Sequence, residues 1–267
     1  KEATFIPHPV VTEPLPEALL ADIRKHTQSP VTHVVITHPN PDKFNGVAVF
    51  QRAGAKVVAS KATADAIKGV HAYKQYYFVK IAKMFSEKTY PEQATVDQTF
   101  TGSLDLAGGA VQLRELSHAG VSSTQTVAYV PATRDLMVGD LVHHKTHAWL
   151  EGGIVGGKPA PNLASWKAAL AELKQRFPDA TVRGGRGATA PVAEAVKAQT
   201  TYLDGMEKLI RGYIAGLDEA GRTELAGGAA THHKAIAAKA AERFPDYDHA
   251  YLVEYGAYGL IGALLAE

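Results

Sequence analysis

Apolar positions in this chain follow two periods, and the change from one to the other marks its organisation. The first is set by a continuous run, Val34-Val35-Ile36, that breaks at once into Thr37-His38-Pro39-Asn40-Pro41-Asp42-Lys43. Three β-branched residues in succession suit a strand covered on both faces, and Pro39 and Pro41 forbid its continuation. In layered α/β sheets ligands bind just past the carboxyl ends of strands, which places chemistry in residues 37 to 43. Ahead of this strand, Pro16 opens a helix in which Leu19, Leu20, Ile23 and His26 recur at helical spacing. Residues 5 to 11, interrupted by Pro7 and Pro9, read as an edge strand or an extended lead-in. Beyond the motif, residues 44 to 53 read as a helix stopped by Gly54, and residues 56 to 59 as the next strand. Ser60 then caps a short helix ending at Gly69. Two βα steps in succession predict an α/β fold.

From residue 71 to 86, Tyr73, Tyr76, Tyr77, Phe78 and Phe85 are interleaved with lysines. The expectation is a helix lidding the sheet edge, apolar face down, because no wider basic patch supports nucleic-acid binding. Residues 90 to 98 look irregular. The period then becomes two, over residues 103 to 106, 110 to 116, 126 to 130 and 136 to 142, with turns at Gly102, Gly108-Gly109 and Pro131 to Arg134. This is the pattern of antiparallel strands. Asn162 caps a helix from 163 to 177 that Pro178 ends, and residues 181 to 187 form a last strand. Residues 191 to 267 are rich in alanine and predict at least three amphipathic helices, broken near Gly216, Gly227-Gly228 and Pro245.

Composition narrows the functional classes. The 267 residues suffice for a substantial core without disulfides or a structural metal. Lys+Arg 28 against Asp+Glu 27 gives a net charge of +1, so no global field favours nucleic acid or an acidic membrane surface, and the expected partner is a small molecule. With no cysteine there is neither disulfide nor thiolate ligation, and the compartment stays open. No stretch approaches the roughly 18 apolar residues of a membrane span. The chain begins at Lys1, so the expectation is a removed leader, tag or further N-terminal segment, with either a cytoplasmic or a periplasmic or secreted destination.

The motif loop, Thr37-His38-Pro39-Asn40-Pro41-Asp42-Lys43-Phe44-Asn45-Gly46, resembles the T-H-x-H-x-D-H-x-x-G signature of the metallo-β-lactamase superfamily. His38, Asp42 and Gly46 match it, while Asn40 stands at the second histidine and Lys43 at the third. A second block resembles the family too: His118 in Ser117-His118-Ala119-Gly120, then a hairpin closing in Val138-Gly139-Asp140-Leu141, whose aspartate bridges the metals in the family. A third stretch, Gly185-Arg186-Gly187, stands where the family has Gly-His-Gly. The resemblance covers roughly residues 12 to 190. It implies an αββα sandwich over 1–190, with a helical extension over 191–267 packed on it. The family usually carries an additional N-terminal hairpin, for which there is little room here.

A catalytic zinc needs about three protein ligands and one position for water. The resemblance offers the first metal His38, Asn40 and His118, a weak set with one neutral amide. It offers the second Asp42, Lys43, Asp140 and Arg186, of which the two cations cannot ligate. At most one zinc (or iron or manganese) is therefore expected, the second site being empty; a chain with no metal is the alternative. His143, His144 and His147 are expected in a surface loop, with His147 the one most suited to complete a mononuclear site. Lys43 and Arg186 share a physical logic, since two carboxylates gathered without a metal would repel. The cations would hold Asp42 and Asp140 in an ion-pair network.

The functional expectation is a divergent hydrolase of a small ester, lactone or amide. Its metal would rest on His38 and His118, Asp42 or Asp140 would act as base or orienter, and Lys43 and Arg186 would complete the polar set. Against it stands a metal-free member serving as a binding or scaffold module. Residues 184 to 187 lack the spacing of a phosphate-binding loop, and Ser117, Ser122 and Ser123 lack a nucleophile-elbow pattern. The helical tail either covers the mouth of the site or mediates a homodimer, with Gly256, Gly259 and Gly262 permitting close helix packing. His33 is expected as a satisfied core or interface residue, and His232-His233 as facing solvent.

Overall fold

The computed structural model describes residues 14–267. The proline-broken segment from residue 5 to 11, and any hairpin ahead of it, lie outside the described residues. In chain order the elements are α1 (Pro14–His26), β1 (His33–Ile36), α2 (Pro41–Phe44), α3 (Val47–Arg52), β2 (Lys56–Ser60), α4 (Lys61–Tyr76), a π-helical turn (Tyr77–Ile81), β3 (Gln98–Phe100), β4 (Ser103–Leu106), β5 (Val111–Glu115), β6 (Thr126–Val130) and β7 (Asp135–His144). There follow the ribbon strands β8 (Gly153–Val155) and β9 (Lys158–Ala160), then α5 (Leu163–Arg176), β10 (Thr181–Gly187), β11 (Ala190–Pro191), α6 (Val192–Ala215), α7 (Glu219–Ala226), α8 (Ala230–Arg243), α9 (Tyr251–Gly256) and α10 (Tyr258–Leu265). These elements form two compact units. The first holds the residues up to Leu116 with Ser122–Gly139 and Ile154–Lys158; the second holds Ser117–Val121, Asp140–Gly153 and Pro159–Glu267.

In the first unit, β1, β2 and β3 form a parallel sheet, with Val34 opposite Val57 and Ile36 opposite Ala59. Val34, Ile36, Val57 and Ala59 turn to one face, where Phe44, Val47, Phe50, Ile67 and Val70 from α2, α3 and α4 cover them. Val35 and Val58 turn to the other face and pack with Leu106, Val111, Leu113 and Ala128 of the antiparallel meander β4-β5-β6-β7. Burial on both faces is what makes the Val34-Val35-Ile36 run unbroken, and each such side chain contributes roughly 1.5–3 kcal/mol. Ser60 caps α4 by accepting from the Thr63 N–H, as its position predicts. The helix does not stop at Gly69, however, but runs on to Tyr76. Ile67, Val70, His71 and Lys74 are buried on either side of that glycine, and their packing outweighs its intrinsic cost of about 1 kcal/mol. The expectation of a lid with its apolar face down also fails in part, because the helix widens into the π turn and leaves Tyr76, Ile81 and Met84 exposed.

In the second unit the C-terminal half of β7 lies beside β10, and β11 pairs antiparallel with β10. This pairing carries β7 through His143 and His144, so neither lies in the loop expected after the strand. Asn162 caps α5 by accepting from the Ser165 N–H, and Trp166 Nε1 donates to the Leu141 carbonyl at 2.8 Å, fixing that helix to β7. The C-terminal helices break at Gly216, at Gly227-Gly228 and just before Pro245, as predicted. Gly256 lies against the Trp149 ring and Gly259 against the Glu151 backbone, with no room for a methyl at either, so α9 and α10 dock closely there. Gly262 faces open space, so close packing is required at two of the three glycines.

Candidate functional site

The site residues fall in both units. In the first, Thr37 and His38 are fully buried at the end of β1, with His38 Nδ1 3.0 Å from Thr37 Oγ1. Asn40 opens α2 in an extended conformation and Pro41 occupies the first turn, so Asp42 and Lys43 ride on a turn of helix rather than on an irregular loop. Asn40 Nδ2 donates to Asp42 Oδ1 at 3.0 Å, and Lys43 Nζ donates to Asp42 Oδ2 at 2.5 Å. The lysine side chain is only 2% exposed and that of Asp42 16%. Three contacts hold the segment. The Thr126 N–H donates to the Thr37 carbonyl at 2.7 Å, and Ser122 Oγ donates to the Pro39 carbonyl at 3.2 Å. Gly139, at φ +56, packs so closely that a Cβ there would lie 2.7 Å from Thr37 Oγ1. This explains the glycine of Val138-Gly139-Asp140: it needs both a left-handed backbone and a close approach.

In the second unit Asp140 is 1% exposed, and Arg186 NH1 donates to its Oδ2 at 3.1 Å. His143 Nε2 lies 3.8 Å from Asp140 Oδ1, an ion-pair distance that matters only when the imidazole is protonated. Arg186 reaches this carboxylate from β10 because that strand lies tightly on β7. A methyl at Gly184 would overlap the Val142 carbonyl, and one at Gly187 would overlap the His144 carbonyl. The glycine-rich run is thus a closely packed strand and not a phosphate cradle. His143 is buried, its N–H donating to Gln199 Oε1 at 2.8 Å, and buried His144 lies 3.4 Å from Glu194.

The remaining histidines are placed elsewhere. His118 is half-exposed, with Nδ1 3.5 Å from Glu172; the same carboxylate accepts from the Ser117 N–H at 2.9 Å and from Arg176 at 2.8 Å. His147 is fully buried in a box of Tyr202, Phe244 and Tyr247, not in a surface loop, and its Nδ1 meets Tyr202 Oη at 3.1 Å. Burial alone pushes its pKa down to about 4. His33 is half-buried and bonded to Thr32 Oγ1. His232 does not face solvent: it packs on Tyr213, whose hydroxyl lies 2.8 Å from its Nδ1. Sequence reasoning missed Glu172, Gln199 and Glu151. Glu151 is a buried carboxylate taking hydrogen bonds from Trp149 Nε1 and the Tyr258 hydroxyl. No motif marks these residues: Glu172 meets Ser117 across 55 residues, Gln199 meets His143 across 56 and Glu151 meets Tyr258 across 107.

The donor chemistry does not fit a two-metal centre. A zinc site needs three or four nitrogen or oxygen donors converging on one point. Among the described residues no group of three or more His, Asp and Glu side chains could hold a metal ion. The Asn40 amide and Lys43 ammonium are engaged with Asp42, and the Arg186 guanidinium with Asp140.

Residues 9–183 match the family model of the metallo-beta-lactamase superfamily. The chain belongs to that superfamily. Among solved structures it is similar to a metallo-beta-lactamase from Pontibacter korlensis, at 24% identity and a TM-score of 0.55, over 76% of this chain and 83% of that one. It is also similar to the DIM-1 metallo-beta-lactamase, at 18% identity and a TM-score of 0.57, over 77% and 81% of the two chains. A third is the FIM-1 metallo-beta-lactamase from Pseudomonas aeruginosa in its mono-zinc form, at 17% identity and a TM-score of 0.57, over 76% and 80%. At these identities the likeness is one of fold. The metallo-beta-lactamase architecture with added C-terminal helices thus agrees with the expectation from the motif block.

Proposed function

We propose that this chain is a metal-independent member of the metallo-beta-lactamase superfamily, a binding or scaffold module for a small molecule rather than a metal-activated hydrolase. One observation carries this reading: each retained motif carboxylate is paired with a cation from a position that the resemblance assigns to a metal ligand, Asp42 with Lys43 and Asp140 with Arg186. Protein cations supply the positive charge that bound metals would otherwise supply, and an ammonium or guanidinium cannot also ligate. The mononuclear hydrolase with His38 and His118 as ligands has weaker support, because His118 sits half-exposed beside Glu172.

The test is a hydrolysis screen of small esters, lactones and amides, run with zinc, iron or manganese supplied and again in chelator. The proposal expects no metal-stimulated turnover and the same melting temperature in every condition. Turnover that rises with zinc and vanishes in chelator would overturn it.

A further inference from the structure

The segment after α4 is the part of the first unit that its core does not absorb. Residues 80 to 84, Lys80-Ile81-Ala82-Lys83-Met84, are all exposed, with Ile81 at 58% and Met84 at 68%; Tyr76, one turn earlier, is 61% exposed. The chain is anchored on either side of this tip. His71 Nε2 meets the Pro91 carbonyl at 2.9 Å, and Phe78, Phe85 and Tyr90 pack on one another. The π turn and the left-handed backbone of Lys83 (φ 53) reverse the chain between these anchors and project the apolar side chains outward. Lys80, Lys83 and Lys88 are exposed in the same stretch with a single acid, Glu87, which pairs with Lys80.

We propose that this tip docks on an anionic lipid surface, Ile81, Met84 and Tyr76 entering the headgroup boundary while the lysines meet lipid phosphates. Three physical points favour a membrane. Exposed apolar side chains interspersed with exposed lysines on one turn form the pattern of an interfacial anchor, in which the aliphatic stems lie along apolar surface and the ammonium groups stay in the polar layer. The local charge excess complements an anionic leaflet. A symmetric pairing of two copies through the same tip would bring like charges together, which disfavours self-association there. No helix among the described residues is long and apolar enough to cross a membrane, so the contact is peripheral.

The experiment is co-sedimentation of the full chain with vesicles of phosphatidylcholine alone and with vesicles containing phosphatidylserine, at low and at physiological salt. Binding is expected only to the anionic vesicles, weakening with salt and falling about five-fold for each of Lys83→Gln and Lys88→Gln. Ile81→Asp with Met84→Asp should abolish it without changing the melting temperature, since both side chains are exposed. Equal binding to both vesicle types, or unaltered binding by the double variant, would overturn the proposal. So would a concentration-dependent dimer that the double variant dissolves, or retention by an acidic protein column with no vesicle binding.

Discussion

The two ion pairs, one on α2 and the other between the middle of β7 and β10, neutralise the same kind of group in opposite ways. In the first, the cation is sealed: Lys43 is 2% exposed, and Asp42, at 16%, lies nearer the surface. In the second, the carboxylate is sealed: Asp140 is 1% exposed, and Arg186, at 30%, reaches outward. The first pair is made by neighbours on a helical turn, the second by residues brought together across strands. The difference shows which member of each pair the fold cannot lose. Removing the exposed partner strands a buried charge, whereas removing the buried one leaves a group that water can reach.

The largest effect follows from this asymmetry. Arg186→Ala takes the guanidinium from the buried Asp140 carboxylate and should cost about 3–5 kcal/mol, read as a lowered midpoint in urea unfolding. A loss under about 1 kcal/mol would mean that the Arg186 contact is incidental. Next, Asp42→Ala strands the Lys43 ammonium. It should cost somewhat less, about 2–4 kcal/mol, because Asp42 is 16% exposed and water can reach the space it leaves beside the ammonium, whereas the Asp140 carboxylate is 1% exposed. Finding Asp42→Ala the costlier of the two would invert the comparison.

An acid-side prediction comes from His147. Burial lowers its folded-state pKa from 6.5 to about 4, so the unfolded chain takes up a proton first as pH falls. The stability it contributes is complete above pH 6.5 and is lost between 6.5 and about 4, by roughly 3 kcal/mol at most. Melting temperature against pH for His147→Gln should lack that part of the acid slope; superimposable slopes would show that His147 titrates normally. The smallest effects belong to the sealed members of the pairs. Lys43→Met and Asp140→Asn remove the buried charge, keep the volume and should each cost only about 1 kcal/mol, by the same unfolding measurement.

What was legible in the sequence was local. The run at Val34 to Ile36, the caps Ser60 and Asn162 and the breaks at Gly216 and Pro245 follow from side-chain period, hydrogen-bonding capacity and backbone freedom within a few residues. Lys43 beside Asp42 could be read for the same reason. Less legible was whatever long-range packing decides. Gly69 looks like a helix end until the buried residues around it are counted, His143 and His144 look like loop until β10 lies beside them, and His147 looks like a ligand until Tyr202 and Tyr247 enclose it. His118 matches a motif position, yet its surroundings are set by Glu172, a helix residue that no motif marks.

Metal content tests the central claim most directly. The chain would be purified without a metal-affinity column from cultures supplied with zinc, iron or manganese and then subjected to elemental analysis. The account expects metal far below one equivalent per chain whatever is supplied, and no change after chelator treatment. Close to one equivalent, removed by chelator and lost in both His38→Ala and His118→Ala, would contradict it and restore the mononuclear hydrolase.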